Sequence, residues 1–187
     1  MLRVIAALER PRMKVAVALL LLASPAFAQN VPRRSEAPPG CGVEQAKFDV
    51  KTDKGQHAAV KPNEGKALVY FVEDDTEFGS FPKPTTRVGL DGKWIGATHG
   101  SSFIYFSVDP GERHLCASWQ AAVVVRQGLK TAAAHFMANA GGVYYFKVKN
   151  TWTRDLGVAG ISLEPLDSDE GLLLVNRFSL STFHPKN

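Results

Sequence analysis

The sequence predicts an all-β protein: an antiparallel β-sandwich of about seven strands with a short C-terminal helix. Short runs rich in Val, Ile, Phe and Tyr recur from Gly65 onwards, and turn residues break them about every eight to twelve positions. No alternation of strands with helices, of the kind that builds a parallel sheet, accompanies them. The balance of 45% hydrophobic and 21% charged residues over 187 positions suits one globular core.

The chain opens on a leader. Met13 to Ala28 (MKVAVALLLLASPAFA) has a basic residue, an apolar run and a small-residue end, the three parts of a secretory signal peptide cleaved after Ala28. Either Met1 or Met13 serves as the start. The apolar run is about half the length that spans a bilayer, so no stable membrane insertion is expected after cleavage. No cysteine follows a small-residue box at the end of that run, so no lipobox is read, and the localisation expected is periplasmic or secreted. Arg3, Arg10, Arg12 and Lys14 lie in residues 1–28 against Glu9, and removing them brings the formal charge of +4 close to neutrality. A near-neutral domain lacks the basic surface that nucleic acid requires. Export also changes the meaning of Cys41 and Cys116: outside the cytosol an even pair favours a disulfide, with two free buried thiols as the alternative.

Residues 29–64 read as a proline-containing linker and extended N-terminal segment, 65–165 as the sandwich, and 166–187 as a short helix and tail. Lys66–Glu73 (KALVYFVE) is apolar through its middle, as in a strand covered on both faces. Thr85–Leu90 and Lys93–Ala97 flank Asp91-Gly92, a two-residue hairpin signal. Ser102–Val108 forms the next strand; Asp109-Pro110-Gly111 turns it into Glu112–Trp119, on which Leu115, Ala117 and Trp119 share the core face. Leu129–Ala140 fits a helical face or a strand leading into the Gly141-Gly142 turn. Val143–Lys149 and Ala159–Glu164 complete the strands. Asp167 with Glu170 three positions on is a capping-box spacing that predicts the helix.

The stretch Val88–Trp119 (VGLDGKWIGATHGSSFIYFSVDPGERHLCASW), with Gly65–Phe71 (GKALVYF) and Gly141–Val148 (GGVYYFKV), resembles the bacterial domain-of-unknown-function family 2846. More loosely it is similar to PEGA-type and carboxypeptidase-regulatory-like sandwiches. The resemblance covers about 65–165 and rests on turn and strand motifs. It implies an exported or envelope-associated β-sandwich without an assigned activity, and it favours a strand over 130–139. Many relatives look like lipoproteins, a feature this chain departs from.

Chemistry is harder to find. His57, His99, His114, His135 and His184 make no HExxH or paired-cysteine zinc pattern, and no metal or cofactor is expected. His114 and Cys116 face the same way, but a disulfide would consume the thiol. GxSxG and phosphate-binding glycine loops are absent. Glu73-Asp74-Asp75 reads as solvated charge after a strand, and Asp167–Glu170 as a helix N-terminus. The aromatics say more. In the hairpin, Leu90 faces Lys93, Gly89 faces Trp94, Val88 faces Ile95 and Arg87 faces Gly96. Trp94 then lies over Gly89 and either stacks on Arg87 or offers a platform to a ligand, while Trp152, in the polar stretch Asn150–Asp155, is the tryptophan expected to be exposed. These residues support two readings. One is a non-catalytic exported domain that binds another cell-envelope protein. The other is a carbohydrate-binding module using Trp94, Trp152 and Arg87. A hydrolase would require His114, Ser101 or the Glu73–Asp75 acids to converge in one pocket.

Overall fold

The computed structural model describes residues 39–42, 46–55, 60–79, 82–120, 127–128, 130–153 and 158–186. The expected leader and cleavage site, and residues 29–38 of the expected linker, lie outside the described residues. The elements are β1 (Phe48–Asp53), β2 (Ala67–Asp74), β3 (Thr85–Leu90), β4 (Lys93–His99), β5 (Ser102–Val108), β6 (Gly111–Trp119), β7 (Gln127–Gly128), β8 (Thr131–Ala138), β9 (Val143–Thr153), β10 (Val158–Leu166), α1 (Ser168–Arg177) and β11 (Ser179–Pro185). They form a seven-stranded sheet, ordered β1-β11-β5-β2-β9-β10-β7, over a four-stranded sheet, ordered β4-β3-β6-β8. The sandwich and its C-terminal helix are therefore as the sequence predicts, and 131–138 is a strand.

Three features differ from expectation. The N-terminal segment and the C-terminal tail are not accessory: Phe48–Asp53 pairs antiparallel with Leu180–Pro185 and extends the larger sheet. That sheet is also mixed. β2 and β9 run parallel at its centre, Leu68 opposite Val143 through to Asp74 opposite Lys149, because the chain crosses to the other sheet and back between them. Finally, the β3–β4 hairpin carries a bulge. Leu90 opposite Lys93 and Gly89 opposite Trp94 hold, but Val88 then faces Gly96 and Arg87 faces Ala97, leaving Ile95 extra. The bulge lets Ile95 still reach the core and sets Gly96 under Phe183, whose ring occupies the space a side chain there would need. The turn itself has positive φ at both central residues, 47° at Asp91 and 82° at Gly92, which suits the twist of a tight hairpin.

Strict alternation divides the core in two. Leu68, Tyr70 and Val72 of β2 point to the outer face of the larger sheet, where Phe103, Tyr145 and α1 cover them. Val69 and Phe71 point inward against the smaller sheet. Helix α1 starts where its sequence says: Asp167 accepts from the backbone N–H of Asp169 and Glu170, both at 2.9 Å. Glu170 turns to Lys147 instead, at 2.7 Å, and this pairing holds the lysine above its ordinary range. The helix can lie flat only because Gly171 has no side chain, since a Cβ there would fall 2.2 Å from the Tyr145 ring. Gly171→Leu is accordingly expected to lift α1 from the sheet and lower stability by about 2 kcal/mol in urea unfolding.

Candidate functional site

On the outer face of the smaller sheet, the N-terminal segment is strapped down by the Cys41–Cys116 disulfide, with the two Cα atoms 5.0 Å apart. The glycines beside Cys41 make this possible. A Cβ on Gly40 would sit 2.5 Å from the Leu115 backbone, and one on Gly42 2.5 Å from the Trp94 backbone. Trp94 is half-buried, set beside Gly89, with the Arg87 guanidinium 4.4 Å from its ring centroid. Arg87 is itself buried and donates to the Ala46 carbonyl at 3.2 Å and to Ser118 Oγ at 3.1 Å, so it joins the strap to the strand beneath. His114 and His135 face each other across β6 and β8 with rings 6.3 Å apart, next to Pro39 and Gly40. Among the described residues no three His, Cys, Asp or Glu side chains converge as metal ligands.

Trp152 is not in an exposed loop. It lies on β9 in the inward-facing register of Phe146, Val148 and Asn150, packs against Phe78 at 6.3 Å, and its indole N–H is buried without an acceptor among the described residues. Trp94 and Trp152 therefore belong to different sheets. They do not form one platform.

The most unusual chemistry is one the sequence reading placed in solvent. Glu73 and Asp75 are both fully buried. The inward register of β2 passes from Val69 and Phe71 to Glu73, so the carboxyl enters the gap between the sheets, whereas Asp74 points outward. Strands of both sheets contribute to the cluster. Thr86 of β3 donates to Glu73 Oε1 at 2.6 Å, and Asn150 of β9 donates through Nδ2 to Glu73 Oε1 and Asp75 Oδ1, both at 2.7 Å. Trp119 of β6 donates its indole N–H to Asn150 Oδ1 at 2.8 Å. Glu73 Oε2 and Asp75 Oδ2 have no hydrogen-bond partner among the described residues. Phe78 closes the end of the sandwich above them, 6.0 Å from Trp119, and Lys83 donates to the Asp75 carbonyl.

The electrostatics follow from burial. Removal from water, and then the charge of Asp75, push Glu73 well above the ordinary carboxylate range, while the hydroxyls of Thr86 and Thr98 and the Asn150 amide pull the other way. Burial likewise raises Asp75, to about 6, against the pull of Asn150, Lys83 and His99. The signal in the sequence was the alternation itself. Continued past the apolar run, Val69-x-Phe71-x-Glu73 and Phe146-x-Val148-x-Asn150 both aim polar groups inward.

No curated protein and no solved structure matches the chain. Residues 63–161 match the family described as Protein of unknown function (DUF2846), a span from before β2 into β10 that holds the whole buried cluster and Cys116, but not Cys41, β1, α1 or β11. That span is more than half of the chain, and the protein belongs to the DUF2846 family.

Proposed function

We infer that this is an exported, non-catalytic binding domain whose partner is another cell-envelope protein, engaged through the outer side of α1. The observation that carries this reading is the run Leu172-Leu173-Leu174. Leu174 is buried on the sheet, whereas Leu172 and Leu173 are 49% and 65% exposed. The fold has no use for them there, and covering a leucine is worth roughly 1.5–3 kcal/mol. Two adjacent leucines flanked by Asp169, Glu170, Asn176 and Arg177 form a small apolar spot with a charged rim, suited to an apolar groove on a protein. The disulfide supports export, since such bonds persist in oxidising compartments. The glycan alternative loses its support: Trp94 is wedged between Arg87 and the strap, and Trp152 faces inward.

A photo-crosslinking residue at position 173, compared with one at exposed Lys130 in the bend before β8, tests the reading in intact cell envelopes. One discrete protein adduct from 173, lost when Leu172→Glu is added, is the expected result. Equal labelling from both positions, or adducts indifferent to Leu172→Glu, would sink it.

A further inference from the structure

We propose that Glu73 and Asp75 form a proton-holding pair that ties the two sheets together, so that this end of the sandwich is closed in mild acid and loosens as the solution becomes alkaline. The inference is independent of the binding reading above.

The geometry can be followed hydrogen by hydrogen. Asn150 is oriented by Trp119, whose indole N–H must meet the amide oxygen, so the amide's two hydrogens face the acids. Thr86 supplies one more, to Glu73 Oε1. The Asn150 and Thr86 donors end on Glu73 Oε1 and Asp75 Oδ1; the Thr98 hydroxyl of β4 also pulls on Glu73 but donates to the Thr86 carbonyl at 3.5 Å, and among the described residues none hydrogen-bonds Oε2 or Oδ2. With both carboxyls ionised, two anionic oxygens would lie bare out of water beside like charge. A single bound proton removes one charge and turns one oxygen into a donor. Among the described residues no cation hydrogen-bonds either carboxyl. The Lys83 ammonium reaches the Asp75 carbonyl, and the His99 ring is turned to the Pro84 carbonyl and the Thr85 hydroxyl at 3.1 and 3.3 Å. Asp74, on the opposite face, adds negative charge. The elements joined by the cluster are β2, β3, β6 and β9, from both sheets, with Phe78 packed on Trp119 and Trp152 as the plug above.

The sign is fixed by linkage. Both groups hold a proton more tightly folded than unfolded, so the stabilisation is complete below the unfolded carboxylate range and is lost as pH rises, through about 6 for Asp75, with Glu73 also held well above the ordinary carboxylate range. Urea unfolding of the disulfide-intact chain is expected to show a folding equilibrium constant at least roughly tenfold smaller near pH 8 than near pH 5. A red shift of tryptophan emission should accompany it as Trp119 and Trp152 lose their packing. Glu73→Gln combined with Asp75→Asn keeps the hydrogen-bonding shape and should flatten the profile. Should that variant fail to fold, the infrared spectrum of the native protein near neutral pH serves instead, and must contain the carbonyl band of a protonated carboxyl. A flat wild-type profile, an undiminished slope in the double variant, or absence of that band each overturns the proposal.

Discussion

Replacing Asn150 with alanine should lower the stability of the fold by about 3–5 kcal/mol, one of the two largest effects expected of any change in this protein. The side chain is fully buried and serves four neighbours: it accepts from Trp119 and donates to Glu73, Asp75 and, at 3.2 Å, the Thr86 hydroxyl. Alanine leaves the indole N–H without its acceptor and removes the only side-chain donor to Asp75 Oδ1 among the described residues. Each orphaned buried group costs about 1–3 kcal/mol, and the penalties fall within one buried cluster. Urea unfolding of wild type and variant at the same pH measures the loss. An effect below about 1 kcal/mol would mean that water reaches the pair and that the cluster is not a seal between the sheets.

Removing the disulfide is the second. The Cys41→Ala, Cys116→Ala double variant should lose about 4 kcal/mol, the chain-entropy value for a sequence separation of 75 residues. Both sulfurs must go, because a single substitution leaves a buried thiol. The loss has a local signature. The strap is held additionally by Arg87 on the Ala46 carbonyl and by Gly42 against Trp94, contacts too few to order it alone. Limited proteolysis should therefore cut near Pro39–Gly42 in the variant and in the reduced protein, but not in the oxidised one, while Trp94 loses its near-ultraviolet dichroism. Equal protease resistance with and without the bond would show that packing, not the covalent link, holds the strap.

The features legible in the sequence rest on local chemistry. The hairpin turn follows from Asp91-Gly92, the start of α1 from Asp167, and the inward face of β6 from the spacing of Leu115, Ala117 and Trp119, all buried as expected. The disulfide is favoured by an even pair of cysteines in a chain expected to be exported. The burial of the acidic pair is hidden in the sequence for a physical reason. Carboxylates are so rarely buried that composition argues for solvent, and only the unbroken period of β2 argues against it. Trp152 is hidden in the same way: the polar residues around it look like a loop, yet β9 continues through them to Thr153 and turns the ring inward.

Determined by the sequence itself were the all-β class, the turns and the helix cap, because each depends on residues a few positions apart; the cysteine pairing is favoured there over free thiols and is made by the fold. Decided only in the tertiary structure were the pairing of β1 with β11, the parallel contact of β2 with β9, the bulge at Ile95 and the meeting of Glu73, Asp75 and Asn150. These join segments some 75 residues and more apart or answer to a partner across the core, and a strand's own residues do not name its neighbour. The partner is selected by which arrangement buries the most apolar surface while leaving the fewest polar groups without a hydrogen bond, a property of the whole chain rather than of any part of it.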